Sequence, residues 1–568
     1  MSPVRTDPRE NPMKKGHAKN PHTKKTHHKK RASALPGTLS AEVFPAKPGG
    51  PFPEFELDDD RSQRYLPAGR PFGVAISGGG TRSLSAAIGQ MRALIDLDLL
   101  DLVGAVSCVS GGTWFGTLFN YVPETISDSV LLGPSIAPDK LTLADIETLD
   151  RDNLGGPVPR MTNQRIIDRL TLLEAEVAIG RLPENRVYAR LLDHLLLKPF
   201  GLNSDSMFFA LDPASVRAII ARNADLDTDD FFTTRTNRPY FLANATQVYP
   251  TDKHAVMRHV AYSPLYAGTP QLFTGVGPKG QAFGGGFAQS FAFDSKTPTG
   301  SASPVTVPTP SPHFLLSDVM GSSGAAPGAF LDQLGFSDVG FPEFNDWPAV
   351  DLGQVPSALY SFVDGGNLED TGIVSLLYRQ YPVIVAFVNA ELPIGTKSDE
   401  AVDGISGQIS RLFGKNPKKK LGNNQDTQVF NNDHGEFAAL VQDLNKSRSE
   451  GAFALGDYTI RANNAFGIEP YPGDGKVSVL WFYLNLNQDW RGQITDKQVL
   501  AVLDSPSKKN NFKNFPNYST IGQNRGDLDI PELLWLTAEQ VQLAANMTAF
   551  SVGTSACATL NALRKRFT

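Results

Sequence analysis

The sequence predicts an α/β fold with a central, mainly parallel sheet and helices on both faces. Two apolar runs near the start of the folded region are each followed by a glycine-rich turn and a segment with helical spacing. Apolar runs of strand length also recur in the second half of the chain. Alternating strands and helices are typical of parallel sheets, because each helix returns the chain to the edge where the next strand begins.

Two strand–turn–helix units open the folded region. Phe72–Ile76 has the length and composition of a buried strand, Ser77–Arg82 contains three consecutive glycines, and Ser83–Leu97 has helical spacing. Val103–Val109 is the second buried strand, and a sharp turn and a further helix follow it. The order predicts two neighbouring parallel strands.

The rest of the folded region is less regular in sequence. Residues from about 135 to 235 predict a helical insertion over the sheet, because Leu141–Leu149, Asn163–Ala178 and Glu184–Leu197 have helical spacing. Ser295–Ser311 has the composition of an exposed flexible loop. Further strands are predicted at Arg238–Val248, Ser357–Val363, Pro382–Val388 and Val477–Leu484, and closing helices at Ile530–Met547 and Cys557–Arg566.

The first 70 residues predict a disordered, basic and proline-rich tail, with a folded domain at 71–568. Residues 1–31 hold ten Lys or Arg and two Asp or Glu, so a chain of net charge −6 carries about −14 on the remainder. The basic stretch 14–31 can bind anionic lipid, at roughly 1 kcal/mol per basic residue near an anionic bilayer. The alternative is a solubilising or targeting extension. Nucleic acid is not an expected partner.

Composition narrows the class of protein. Cys108 and Cys557 are the two cysteines, too few for a disulfide framework or a cysteine metal cluster. No apolar run reaches the roughly 18 residues of a membrane-spanning helix, and the first 70 residues lack the apolar stretch of a secretory signal. We expect a cytoplasmic protein, peripheral at membranes if it binds them, without metal or cofactor.

Ser110 is the candidate nucleophile. It stands between a buried strand and a helix, within Val109-Ser110-Gly111-Gly112-Thr113-Trp114. A tight elbow at this place throws the hydroxyl clear of the sheet, and the start of the helix favours an anionic intermediate. Ser-Gly-Gly is also common in ordinary turns, so this motif alone does not identify an enzyme.

The glycine-rich loop Ser77-Gly78-Gly79-Gly80-Thr81-Arg82 is the candidate oxyanion site. Consecutive glycines expose backbone N–H groups, and Arg82 can hold a phosphate by charge-assisted hydrogen bonds. A nucleotide phosphate loop is the competing interpretation. The loop lacks both the Gly-Lys-Ser/Thr ending and the Gly-x-Gly-x-x-Gly spacing of nucleotide sites.

Asp364 is the candidate base. It follows a predicted strand and precedes Gly365 and Gly366, and a carboxylate at the carboxyl end of a parallel strand faces the crevice where ligands bind. A plain turn is the alternative. Four of the nine histidines lie in the basic tail, and the others are not in a recognisable triad context. A Ser–Asp dyad is therefore the economical hypothesis, although an Asp is a weak base that depends on close placement.

The three motifs in this order, without a histidine, resemble the catalytic domain of cytosolic phospholipase A2 and phospholipase B, within the patatin-like lipases. Gly78-Gly79-Gly80-Thr81-Arg82, Ser110-Gly111-Gly112-Thr113-Trp114 and Asp364-Gly365-Gly366 carry this resemblance. It implies a three-layer patatin-like fold with a helical cap, over residues 71–568. The implied reaction is hydrolysis of a glycerophospholipid or lysophospholipid ester through an acyl-enzyme.

The resemblance also implies roles for single residues. Ser110 would be acylated and Asp364 would be its base. Gly79 and Gly80, with Gly111, would donate to the oxyanion. Arg82 would bind the substrate phosphate or steady the loop itself. Metal ligands are not implied.

One departure from the family pattern bears on activity. The family elbow has glycine two residues before the nucleophile, and this chain has Cys108. A side chain there could crowd the elbow, which keeps open a catalytically inactive lipid-binding protein. A transacylase, which passes the acyl group to an alcohol, uses the same acyl-enzyme and is not separable by sequence.

Overall fold

A computed structural model describes residues 37–46, 52–250, 255–273, 283–325, 342–350, 352–418, 426–505, 512–519, 532 and 534–567. The basic stretch 14–31 lies outside the described residues. The strands are β1 (Thr38–Ala41), β2 (Val43–Pro45), β3 (Phe72–Ile76), β4 (Val103–Val109), β5 (Phe208–Ala210), β6 (Phe231–Thr233), β7 (Tyr240–Pro250), β8 (Ala255–Tyr262), β9 (Tyr266–Phe273), β10 (Phe283–Gln289), β11 (Val305–Pro308), β12 (Glu343–Asp346), β13 (Ala358–Asp364), β14 (Val383–Val388), β15 (Ala401–Val402), β16 (Ile405–Ser406), β17 (Phe453–Thr459) and β18 (Lys476–Tyr483).

The α-helices range from single turns to nearly five turns in length. They are α1 (Asp59–Ser62), α2 (Gly80–Asp96), α3 (Gly111–Tyr121), α4 (Asp128–Leu131), α5 (Leu143–Glu147), α6 (Asn163–Ala178), α7 (Val187–Leu192), α8 (Pro213–Arg222), α9 (Leu316–Ser323), α10 (Ile373–Tyr378), α11 (Gly407–Leu412), α12 (Glu436–Lys446), α13 (Gln488–Gln493), α14 (Lys497–Leu503), α15 (Ala538–Phe550) and α16 (Cys557–Phe567). In the described residues, none is long and apolar enough to cross a membrane.

The main sheet is mixed, which corrects the prediction of a mainly parallel one. Its main path runs β17-β18-β14-β3-β4-β7-β8-β9-β10-β2, and β12 and β13 branch from β7. The central strands β18, β14, β3, β4 and β7 are parallel, and the flanking pairings are antiparallel. Apolar runs identify strands but not their direction, which depends on whether a helix or a short turn joins them.

Helices cover both faces of the parallel part. Val383, Val385 and Phe387 of β14 belong to one buried cluster, together with apolar residues of α2, α3 and α15. Their neighbours Ile384 and Ala386 belong to a second cluster, with residues of α10, α11 and α12. Successive side chains of a strand point to opposite faces, so a continuous apolar run is buried on both.

The long strand β7 brings two distant chain segments together. Its first half pairs with β4 in parallel, with Asn244 opposite Val109. Its second half pairs with β13 in antiparallel, with Ala245 opposite Asp364. Since β8 occupies the other edge of β7 at these residues, β4 and β13 lie on the same edge and meet end to end. The end of β13, rather than of a parallel strand, therefore carries Asp364.

The segment between α3 and β7 is largely helical. It contains α4 to α8, and it also contains β5 and β6, which form a small parallel pair. The helix predicted at residues 184–197 is present as a 3-10 turn, α7 and a π-helical turn at Asp193–Leu197. The predicted insertion thus has a strand pair that its helical spacing did not indicate.

The prediction of a disordered tail to residue 70 is wrong for the described part of that segment. β1 pairs with β11, and β2 adds to the main sheet beside β10. β11 itself lies in the predicted flexible loop, so the two misassigned segments stabilise each other. Glu54 is fully buried and pairs with Arg379 at 2.7 Å. These partners are hundreds of residues away, and local composition gives no sign of them.

Candidate active site

The turn that carries Ser110 is strained. Ser110 joins β4 to α3 with φ 52° and ψ −120°, a conformation that L-residues rarely adopt. Such a conformation costs about 1–3 kcal/mol and persists only where the surroundings hold it. The Ser110 N–H donates to Ser323 Oγ at 3.0 Å, and that hydroxyl donates to the Asn244 carbonyl at 2.6 Å. α9 and β7 therefore hold the elbow in place.

Ser110 and Asp364 are in direct contact. The Ser110 hydroxyl donates to Asp364 Oδ2 at 2.7 Å, across 254 positions of sequence. The Gly366 N–H donates to the other oxygen, Asp364 Oδ1, at 2.8 Å. Ser110 is 7% exposed and Asp364 is 5% exposed, so little solvent screens the pair. A carboxylate fixed on a serine hydroxyl has the geometry of a general base.

The two glycine-rich motifs touch through their backbones. α2 begins at Gly80 and α3 at Gly111. A Cβ added to Gly111 would lie 2.1 Å from the Gly80 carbonyl oxygen and 2.5 Å from the Gly80 nitrogen, a distance that only glycine allows. The amino ends of two helices, whose first N–H groups have no acceptor within the helix, thus meet beside Ser110.

Gly78 and Gly79 bring the loop against the nucleophile. A Cβ on Gly78 would lie 3.1 Å from the Ser110 Cβ. Gly79 has φ 131° and Gly80 has φ 53°, so the loop uses backbone conformations in which glycine is favoured. The glycine loop predicted to bind the oxyanion therefore lies next to Ser110.

Arg82 lies beneath the glycine loop. Its Nε donates to the Asn389 carbonyl at 2.9 Å, and its Nη1 donates to the Tyr518 carbonyl. Glu391 lies 3.7 Å away, and burial lowers the Arg82 pKa, which the charge of Glu391 partly offsets. These contacts connect the start of α2 to the segments that carry Asn389 and Tyr518, and the role of steadying the loop stays a prediction. A phosphate-binding role stays a prediction.

Cys108 does not crowd the elbow. Its side chain is fully buried and points at α3, where a Cβ on Gly116 would come within 2.7 Å of Cys108 Sγ. The Cys108 side chain thus fits beside α3 because Gly116 has no side chain of its own. Burial raises the pKa of the Cys108 thiol, which keeps it uncharged.

Sequence reasoning missed a second carboxylate at the site. Asp370 is buried, and its Oδ2 accepts from Gln408 Nε2. Its pKa is raised well above the usual value, first by burial and then by the charges of Asp364 and Glu369. In the sequence, Asp370 is marked only by its position six residues after Asp364, and this position does not indicate burial.

A polar network lies behind the dyad. Asn244 Nδ2 donates to the Cys108 carbonyl at 2.8 Å, and its Oδ1 accepts from Ser375 Oγ at 2.6 Å. His259 Nε2 lies 3.0 Å from the same Asn244 Oδ1, and burial lowers the His259 pKa to about 3, so the ring stays neutral. Across the described chain, no group of three or more His, Cys, Asp or Glu is placed to hold a metal ion.

No protein-family model matches the sequence, and no curated protein matches it. Among solved structures, the chain is similar to human GIVD cytosolic phospholipase A2 at 14% identity and a TM-score of 0.45, covering 90% of this chain and 64% of that chain. Two further structures of the same human protein are in complex with methyl γ-linolenyl fluorophosphonate, one of them also with terbium chloride. They are similar at 15% and 16% identity, each with a TM-score of 0.39 over 90% of this chain and 61% of theirs. The chain thus spans less than two thirds of these neighbours.

Proposed function

We propose that the protein is a serine acyl hydrolase that cleaves fatty-acyl esters of glycerophospholipids or lysophospholipids. The observation that carries the proposal is the 2.7 Å hydrogen bond from the Ser110 hydroxyl to Asp364, beside the joined amino ends of two helices. The lipid substrate class rests on the resemblance of the three motifs to cytosolic phospholipase A2. The geometry itself supports acyl transfer to and from Ser110.

The reaction uses Asp364 first as a base and then as an acid. Asp364 takes the proton of the Ser110 hydroxyl as Ser110 Oγ attacks the ester carbonyl, and the carbonyl oxygen becomes an oxyanion. The amides of Gly79, Gly80 and Gly111 stabilise that charge. Asp364 then gives the proton to the departing alcohol, which leaves an acyl-enzyme. A water molecule, deprotonated by Asp364, releases the fatty acid and restores Ser110.

The surroundings compensate for the weak basicity of a carboxylate. An Asp with an ordinary pKa near 4 is poorly matched to a hydroxyl in water. Close placement in a largely desolvated site removes the entropic part of this barrier, and helix-terminal N–H groups stabilise the negative charge as it moves to the substrate. The strained elbow is consistent with this, because it fixes the hydroxyl before substrate binds.

Substrate delivery would occur at a lipid surface. In this proposal the enzyme is cytoplasmic, binds a membrane or micelle peripherally, and its basic stretch 14–31 binds anionic lipid. Removal of residues 1–31 should therefore lower hydrolysis on anionic vesicles more than on detergent-dispersed lysophospholipid.

The direct test is release of fatty acid from phospholipid vesicles and lysophospholipid micelles. Wild type should release it, and Ser110→Ala and Asp364→Asn should not. Ser85→Ala is the matched control, because it also removes a buried hydroxyl, one that bonds to the Thr81 carbonyl within α2. Appearance of a new ester without free fatty acid would identify a transacylase. Equal release by Ser110→Ala and wild type would contradict the proposal.

A further inference from the structure

Asp370 contacts both halves of the candidate active site. A Cβ added to Gly78, in the glycine loop, would lie 2.1 Å from Asp370 Oδ1. A Cβ added to Gly366, in the turn after Asp364, would lie 2.6 Å from the same oxygen and 3.0 Å from Asp364 Oδ1. The Gly78 N–H also donates to the Asp370 carbonyl at 3.0 Å. The Asp370 carboxyl therefore fills the space between the oxyanion loop and the base.

The charges around Asp370 oppose its ionisation. From its own turn it faces Glu369, from β13 it faces Asp364, and from α2 it faces Arg82. Arg82 is already shared with Glu391 and two backbone carbonyls. Burial is the largest cause that raises the Asp370 pKa well above its usual range, and repulsion from the two carboxylates adds to it, whereas Arg82 and the Gly78 N–H lower it. The surroundings therefore favour the uncharged carboxylic acid, which has a proton to donate.

Gln408 supplies an acceptor for that proton. As oriented, Gln408 Nε2 contacts Asp370 Oδ2, and Gln408 Oε1 is buried without a hydrogen-bond partner in the described part of the chain. The two ends of an amide group are assigned from their hydrogen bonds and can be exchanged. With the amide turned over, the Asp370 hydroxyl donates to Gln408 Oε1, and the buried acceptor is satisfied.

We propose that Asp370 is a positioning residue that acts as an uncharged carboxylic acid, joins the Gly78 loop to the Asp364 turn, and donates its proton to Gln408. Loss of this proton turns the site off. A second negative charge then lies beside both Asp364 and the loop that binds the oxyanion. This inference rests on the proposed hydrolase function and adds a pH-dependent control to the same site.

The test compares kcat/KM on a soluble ester between about pH 6 and pH 10 for wild type and Asp370→Asn. Wild type should lose activity on the alkaline side, by about tenfold per pH unit above the midpoint. Asp370→Asn keeps an uncharged group of the same shape, so it should lose less than about tenfold at neutral pH and its alkaline decline should disappear. Asp370→Ala, which leaves Gln408 without this partner, should lose about 10²-fold, and Asn should restore most of that.

Three results would overturn the inference. They are identical pH profiles for wild type and Asp370→Asn, a flat wild-type profile over this range, and a loss at neutral pH as large for Asn as for Ala. Asp364→Asn separates this failure from failure of the proposed function. If wild type has no esterase activity, or Asp364→Asn is as active as wild type, the hydrolase proposal itself is wrong.

Discussion

Two buried carboxylates, Asp364 at the candidate active site and Glu54 near the amino terminus, have opposite kinds of partner. Glu54 pairs with the Arg379 guanidinium at 2.7 Å, with both side chains about 1% exposed, and Tyr266 also donates to it. Asp364 accepts from the Ser110 hydroxyl and from the Gly366 N–H. The Glu54 carboxylate therefore has a cation as its main partner. A carboxylate bonded to a hydroxyl can take the proton.

Burial alone therefore does not identify a reactive acid. Arg379 stacks over the Phe52 ring and joins the amino-terminal segment to α10 and β9, which makes the Glu54 region a structural joint. The Asp364 region instead borders backbone N–H groups and a strained turn. We therefore expect changes near Glu54 to alter stability and changes near Asp364 to alter turnover.

The largest effect should come from Ser110→Ala. Loss of the nucleophile should lower kcat/KM for ester hydrolysis by at least about 10⁴-fold, since only oxyanion stabilisation and binding would remain. The free energy of unfolding should not fall, because the substitution removes only the Ser110 hydroxyl and leaves the backbone unchanged. Esterase assays and urea denaturation measure the two quantities. A loss of activity that merely follows a loss of folded protein would break the contrast between the regions.

The second effect is on stability and belongs to the other region. Glu54→Gln leaves the Arg379 charge buried without its counter-ion, which should lower the free energy of unfolding by about 3–5 kcal/mol. Activity per folded molecule should stay within about twofold of wild type. Glu56→Gln, on the exposed part of the same segment, is the control and should change neither quantity. A stable Glu54→Gln variant with impaired turnover would reverse the assignment of the two regions.

The third effect tests the contact between the two helix ends. Gly111→Ala places a Cβ within 2.1 Å of the Gly80 carbonyl oxygen, so the loops must separate. We expect kcat/KM to fall by about 10²–10³-fold, the size of losing one oxyanion donor. Gly492→Ala has open space around its added methyl group and is the matched control. Full activity in Gly111→Ala would show that the oxyanion is stabilised elsewhere.

The smallest effect links Asp370 to stability. Its pKa is raised on folding, so the unfolded chain loses this proton first as pH rises above about 4, and wild-type stability then decreases. Asp370→Asn has no titrating carboxyl at this position, so it does not lose stability in this way. With the folded carboxyl uncharged, its stability relative to wild type should grow by about 1.4 kcal/mol per pH unit, or about 2.7 kcal/mol between roughly pH 5 and pH 7. Urea denaturation at both pH values measures it, with the exposed Asp489→Asn as control. A difference independent of pH would show that Asp370 is charged in the folded state.

Much of the parallel centre could be predicted from the sequence. Phe72–Ile76, Val103–Val109 and helix Asn163–Ala178 have the predicted bounds. Each is a local pattern, a continuous apolar run or a helical spacing, with a glycine or a capping residue at its end. Ser110 and Asp364 were identified because each follows a predicted strand and precedes glycine. The antiparallel flanks of the sheet and the end-to-end meeting on β7 were not predictable, since they depend on pairing.

The amino-terminal strands and Asp370 could not be predicted for the same reason. β1 pairs with β11, and Glu54 with Arg379, across more than two hundred residues of sequence. Composition rich in Pro and Gly predicts disorder unless a distant partner is known. Asp370 is perturbed by Asp364, Arg82 and burial, which are all tertiary contacts. Long-range pairing therefore accounts for most of what local patterns missed.

Labelling by a fluorophosphonate probe tests the dyad most directly. Intact-protein and peptide mass spectrometry of the labelled chain should find one adduct, on Ser110, formed quickly in wild type, slowly in Asp364→Asn and not at all in Ser110→Ala. Failure to label wild type, or an adduct on a different serine, would contradict the assignment of Ser110 as a nucleophile activated by Asp364.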